Sequence, residues 1–244
     1  MSNNYLIAGG TSGIGRACAE SLAANGDKVF VLGRSADKLD EMSTHYPQKI
    51  IPIQYDLNDV DNIANIFIVI EENRVKLDGL VYCAGMDATF PVKANRPQLM
   101  QSLLTVNCVA FVEICKFFYS KRISNDNSSI VAISSIASLT NEKGMVAYSA
   151  SKAALNSSVK TISKEFCKRH IRVNAILPSG VDTDMAKKKI ELIDNSVNSS
   201  AGEDPQPYGI ISVDSVVRLI EFLLSESSNY MTGELLTMSA GRSY

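Results

Sequence analysis

"LIAGGTSGIGRA" spans residues 6–17 and is the stretch whose reading decides the fold. A short apolar run ends at Gly9, and Gly9, Gly13 and Gly15 then follow in the spacing G-x3-G-x-G. Behind them, residues 13–25 carry Ile14, Ala17, Cys18 and Leu22 at helical spacing. The segment therefore reads as strand, tight turn, helix. Glycines permit tight backbone angles and let the chain approach a pyrophosphate closely. The N–H groups exposed at the start of the helix then favour phosphate. Glycine-rich strand–helix turns also occur where nothing binds. Placement on the first βα unit of an α/β chain is the context that points to a dinucleotide.

Working outward, the chain alternates short β-rich runs with longer helical segments. "YLIAG" (5–9), "VFVLG" (29–33), "KIIPIQY" (49–55), "DGLVYCAG" (78–85), "SSIVAIS" (128–134), "IRVNAILP" (171–178) and "GELLTMS" (233–239) predict seven strands. Helices are expected over 13–25, 35–46, 58–73, 97–121, 147–169 and 213–225, with Ser35 a fair N-cap and Pro97 suited to a first turn. Strands this apolar, separated by helices, imply a parallel sheet covered on both faces. One polar, Pro-containing stretch, "DNSVNSSAGEDPQPYG" (194–209), reads as a long loop inserted in a single domain spanning 1–244.

Composition narrows the function classes. Of 244 residues, 45% are hydrophobic and 20% charged, the balance of a globular protein with a full core. A net charge of −2, with Lys and Arg spread along the chain, argues against a nucleic-acid binder. The longest apolar run, "IANIFIVI" (63–70), is too short to cross a bilayer, and "MSNNYLIAGG" lacks signal-peptide features. A cytoplasmic protein without membrane partners is expected. Five scattered Cys, no CxxC and two His predict neither a zinc site nor a disulfide framework.

Tyr148 and Lys152 stand four apart on a predicted helix and so share a face. Ser135 lies thirteen positions before Tyr148, just past the fifth strand, and Asn107 sits in "TVNCVAF" within the long helix. With the glycine turn and this order of residues, the chain resembles the short-chain dehydrogenase/reductases over almost its full length. The resemblance implies a doubly wound Rossmann-type domain with strand order 3-2-1-4-5-6-7. It places Gly9, Thr11, Ser12, Gly13, Ile14 and Gly15 against a dinucleotide. Asp56 and Leu57 would meet the adenine, Ala84 and Gly85 the wall beside the ribose, and Pro178, Val181 and Thr183 the carboxamide. N-capping of a helix starting at Asn58 is an alternative use for Asp56, and N-capping of the next helix for Thr183. The chain departs from the family's usual residues at Ala8, Cys83, Ser179 and the tail "MSAGRSY".

The second strand ends "VLGRS", with Gly33 where an NAD-type acidic residue is expected and Arg34 beside it. A carboxylate would repel a 2′-phosphate, whereas an arginine meets it in a fork. NADP(H) is therefore expected over NAD(H), with Ser12 and Ser35 adding hydroxyls; a solvated surface charge is the alternative for Arg34.

The resemblance also assigns chemistry. Reduction of a ketone builds negative charge on its oxygen, which needs a proton from a positioned group. Tyr148 would be that acid, and Lys152, helped by the positive charge of an oxidised nicotinamide, would lower its pKa from about 10 and hold the nicotinamide ribose. Ser135 would bond the substrate oxygen, with Ser134 the competing choice, and Asn107 would anchor a water linking Lys152 to solvent. Ser138, Thr140, Ser149 and Ser151 read as incidental hydroxyls. Compact size is most similar to bacterial 3-oxoacyl-[acyl-carrier-protein] reductases and related ketoreductases. That implies a carrier-bound substrate docking on Lys121, Arg122 and Arg169, unless these are ordinary helix-end charges. A reductase of a free small molecule and a non-catalytic dinucleotide module are the alternatives. A homotetramer, or a dimer, and a substrate loop over 186–212 are further expectations.

Overall fold

Seven parallel strands form one sheet: β1 (Asn4–Ala8), β2 (Lys28–Gly33), β3 (Ile50–Gln54), β4 (Leu77–Tyr82), β5 (Ser124–Ile133), β6 (Arg172–Pro178) and β7 (Leu235–Met238). Their order, β3-β2-β1-β4-β5-β6-β7, is the expected one. The structure is a computed structural model describing residues 2–183 and 206–244. Most of the expected substrate loop therefore lies outside the described residues.

Side chains alternate across the strands because the pleat has a period of two. Leu6, Phe30, Leu80, Tyr82 and Ile130 point to one face, where they meet α3 (Ala64–Glu72), α5 (Ala110–Phe118) and α7 (Val146–Phe166). Ile7, Val29, Val31, Val81 and Val131 point to the other face. They pack on α1 (Gly13–Ala24), α2 (Ala36–His45) and α8 (Val213–Leu224). Residues buried on both faces are what give the strands their continuous apolar run. β1 pairs with β2 on one side and β4 on the other, so the winding reverses there and opens a crevice at the strand ends.

Two helices differ from expectation in ways that affect the site. The third begins at Ala64 rather than Asn58. Asp56 is spent on a local turn, where its Oδ1 accepts from the Asn58 N–H and from Asn58 Nδ2, each at 3.0 Å. The helix expected over 97–121 ends at Phe118 and is interrupted. After α4 (Pro97–Leu104), Thr105–Val109 winds as a π-helical turn that contains Asn107, before α5 resumes. By length and composition Pro97–Phe118 could cross a membrane. Here its inner face, with Leu103, Phe111, Ile114 and Phe118, is buried against the sheet.

Candidate dinucleotide and carbonyl site

A cleft of about 480 Å³ runs along the crevice at the C-terminal ends of the central strands. Its floor at β1 requires glycine. Gly9 has φ +81°, and a Cβ there would sit 2.6 Å from the Ala84 backbone, while a Cβ on Gly15 would overlap the Gly9 carbonyl oxygen. These contacts bring the start of α1 hard against the turn. Ser12 precedes α1 without making a side-chain capping bond, and Gly13, Ile14 and Gly15 of the first turn line the cleft. A cradle shaped by absent Cβ atoms and lined by backbone donors fits a pyrophosphate. The turn does not depend on the residues that depart from the family. Gly9 and Gly10 both donate to the Leu32 carbonyl at 3.0 Å, and Cys83 N donates to the Ala8 carbonyl at 2.8 Å. The strand tie is therefore made by backbone, and Ala8 and Cys83 leave it intact.

At one end the cleft is lined by Gly33, Arg34, Tyr55, Asp56, Leu57 and Asn58. Thr11 occupies the space beside Gly33, where any Cβ would collide with the Thr11 side chain. The bonds from Asn58 hold the Asp56 carboxyl below its ordinary pKa, with a smaller contribution from the Arg34 charge. Ser35 departs from expectation. It is the residue before α2, makes no side-chain cap bond and does not line the cleft.

The other end gathers Ser135, Tyr148, Lys152, Pro178, Val181 and Thr183, as expected. Lys152 is 4% exposed, and its Nζ donates to the Ile133 carbonyl at 2.8 Å. Burial pulls its pKa down to about 8, against weaker opposing contributions from Cys83 and Asp87. Tyr148, before any nicotinamide charge is added, is shifted the other way. Its pKa is pushed up to about 12 by burial, with the Asp87 charge adding and the Ser135 side chain opposing. The Lys152 ammonium is aimed at a backbone carbonyl, 5.9 Å from the centre of the tyrosine ring, so it does not offset the loss of water around the phenol. Tyr148 is thus protonated at neutral pH, the state a proton donor requires. Of the two candidate serines, Ser135 is the one beside the phenol. The Ser134 hydroxyl turns to the Lys152 carbonyl at 3.4 Å.

Asn107 stands behind the cleft wall, fully buried. Its Oδ1 accepts from Met86 N at 2.8 Å, and its Nδ2 donates to Met86 O at 3.0 Å and to Ser151 Oγ at 2.8 Å. It thereby clamps the segment after β4 to the helix that carries Tyr148. Two hydroxyls expected to be incidental have structural work. Ser151 accepts that bond and donates to the Tyr148 carbonyl at 2.7 Å. Ser138, on the short helix α6 (Ala137–Thr140), donates to the Ser135 carbonyl at 2.7 Å and accepts from Asn156 Nδ2 at 2.8 Å, which fixes the turn bearing Ser135. Ser149 and Thr140 are incidental as expected, with buried hydroxyls that have no partner among the described residues.

Ser179, where the family usually has glycine, avoids the left-handed region and needs no glycine. Its N–H donates to Met238 O at 3.0 Å and its hydroxyl to Ser239 O at 3.2 Å. The mouth beyond Tyr148 is framed by Met86, Asp87, Glu142, Met145, Gly180 and Arg242, none of them evident beforehand. The expected docking trio does not survive. Arg169 is 6% exposed and committed to Asp126 Oδ1 at 2.7 Å, Tyr119 O at 2.5 Å and Ser124 O at 2.7 Å. Lys121 and Arg122 remain exposed.

The short chain dehydrogenase family model matches residues 3–193. Carbonyl reductase family member 4 of Xenopus laevis is 31% identical over 99% of this chain and 98% of its own length. The 3-oxoacyl-[acyl-carrier-protein] reductase FabG of Aquifex aeolicus is 31% identical over 97% of this chain and 95% of its own. Among solved structures, actinorhodin polyketide ketoreductase with NADPH superposes with a TM-score of 0.89 at 23% identity, covering 98% of this chain and 97% of its own. ElxO with NADP bound gives a TM-score of 0.85 at 24% identity, covering 99% and 98%. Fold, cleft and sequence relatives agree: the chain belongs to the short-chain dehydrogenase/reductase family, whose members are NAD(P)-dependent oxidoreductases acting on CH–OH and C=O groups.

Proposed function

We propose that the protein is an NADPH-dependent ketoreductase whose substrate is a 3-oxoacyl thioester. The observation that carries this reading is the convergence of Tyr148, Ser135 and Lys152 at one end of a glycine-floored cleft. The first turn of α1 would hold the cofactor's pyrophosphate, Arg34 its 2′-phosphate, and Asp56 its adenine. Ala84 and Gly85 would flank the ribose, while Pro178, Val181 and Thr183 would face the carboxamide. The cofactor, when bound, supplies the hydride. Tyr148 gives its proton to the carbonyl oxygen as charge develops there, and Ser135 holds that oxygen by a hydrogen bond. Lys152 holds the ribose hydroxyls beside the phenol. Asn107 keeps the Met86 segment and α7 in register, which fixes the width of the reacting end.

The NADP- and NADPH-bound structural relatives and the Gly33–Arg34 pair support the cofactor preference. The FabG relatives support a 3-oxoacyl substrate. A second reading, reduction of a free small-molecule ketone, is favoured by the burial of Arg169, which removes one of three basic residues from a carrier-docking face. Assembly as a homotetramer is part of the proposal. It is supported by apolar side chains left exposed on the long helix and α8, Val109, Val112 and Phe222, and a monomer by light scattering would refute it. The enzymatic test is NADPH oxidation followed over 3-oxoacyl N-acetylcysteamine thioesters, steroids, quinones and sugars. Turnover of the thioesters, with NADPH preferred and the preference lost in Arg34→Ala, is the expected result. Turnover of another class alone would overturn the substrate, and equal efficiency with NADH the cofactor.

A further inference from the structure

The tail that departs from the family, "MSAGRSY" (238–244), folds into the mouth of the cleft. Ala240 and Gly241 both adopt positive φ, 50° and 83°, and Arg242 N closes the turn on Ser239 O at 3.0 Å. The turn is held from beneath by Ser179, the other departure, whose hydroxyl bonds Ser239 O. Tyr208 N donates to Ala240 O at 3.0 Å, and Gln206 brackets Gly180 with bonds of 2.9 and 3.1 Å. These bonds fix the backbone that carries Arg242. The Arg242 side chain is 23% exposed, lines the cleft and is ion-paired to Glu142, which lies on the loop leading into α7 and is 40% exposed.

We propose that Arg242 is a specificity-determining residue, which selects carbonyl substrates that also carry a carboxylate. This inference rests on the ketoreductase reading in its second form, a free small-molecule ketone, because a thioester carries no free carboxylate. A guanidinium offers five N–H donors in a planar fork matched to a carboxylate. Among the described residues, Glu142 engages one nitrogen of the fork, Nη2, and no other side-chain hydrogen bond to Arg242 is present. The side chain as a whole is only 23% exposed at a cleft mouth, where an acceptor for the remaining donors is favourable. Glu142 shows which acceptor chemistry suits the position, because it is itself a carboxylate on an exposed side chain. Asp87 lines the same mouth, so an anionic group is favoured there only against Arg242.

The test uses full-length protein, NADPH and a ladder of 2-, 3-, 4- and 5-oxocarboxylic acids, each paired with its methyl ester. The ladder scans the spacing between carbonyl and carboxylate. At the matching spacing the acid should exceed its ester in kcat/KM by about tenfold or more, the size of a charge-assisted hydrogen bond. Arg242→Ala should remove that ratio by raising KM for the acid while the ester is unchanged, and Arg242→Lys should restore part of it. The same acid should raise the melting temperature of the wild type and not of Arg242→Ala. If esters are reduced but no acid is preferred, or if Arg242→Ala weakens acid and ester alike, the role of Arg242 is refuted while the ketoreductase reading stands. If no ketone is reduced, both fall.

Discussion

Replacing Lys152 with methionine should make the protein more stable while disabling it. Lys152 is nearly inaccessible, and burial lowers its pKa from 10.5 to about 8. At 1.36 kcal/mol per pH unit, that fall is a cost of about 3 kcal/mol for holding the ammonium in the folded protein at pH 7. Methionine fills a similar volume without charge but forfeits the bond to the Ile133 carbonyl, worth about 1 kcal/mol net. The net gain is about 2 kcal/mol, or a melting temperature higher by roughly 5 °C for a chain of this size. The sign with pH follows from proton counts. The folded protein releases the Lys152 proton at about 8, the unfolded chain only near 10.5. Between those values the unfolded state binds more protons, so wild-type stability rises with pH. The methionine variant lacks this dependence. Its advantage should be full below pH 8 and vanish by about pH 10.5. Urea unfolding of the ligand-free proteins at pH 7, 9 and 10.5 measures it. A destabilised variant at pH 7, or an advantage that persists at pH 10.5, would refute the reasoning.

Cofactor choice should resist the obvious substitution. Gly33→Asp alone should lower NADPH use without conferring NADH use, because Thr11 fills the space; steady-state kinetics of Gly33→Asp with Thr11→Gly should show NADH use rising at least tenfold above the single variant. Asn107→Ala removes the side-chain partner of both Met86 backbone groups and one of the two bonds of Ser151, and should cost about 3 kcal/mol, read by chemical denaturation. Arg169→Ala should likewise cost about 3 kcal/mol while leaving KM for a carrier-bound substrate unchanged, since its donors are spent inside the protein. A change in KM without loss of stability would return Arg169 to the surface.

What was legible in the sequence was chiefly local. The glycine spacing dictates a turn within a dozen residues, and strand alternation with helical spacing dictates a layered sheet. Tyr148 and Lys152 are bound by helical geometry alone. Features that depend on distant partners were not legible. Ser138 and Ser151 look like other serines until Asn156 and Asn107 are brought beside them by the fold. Arg169 resembles a helix-end charge until β5 closes over it. The π-turn at Thr105–Val109 has no composition signature, yet it carries Asn107. Proximity of Lys152 to Tyr148 is visible in the sequence, whereas the burial of the phenol and the aim of the ammonium at the Ile133 carbonyl are not. Arg242 gave one cue, an altered tail, without its destination.

The most direct test of the proposed chemistry is the turnover of Tyr148→Phe on whichever ketone the wild type reduces, measured alongside NADPH affinity by fluorescence titration. Removing one hydroxyl from an otherwise unchanged cleft should lower kcat by about a hundredfold or more, with the NADPH Kd within twofold of wild type. A variant that retains kcat within a factor of a few while binding NADPH normally would show that the proton comes from elsewhere, and would contradict the assignment of Tyr148.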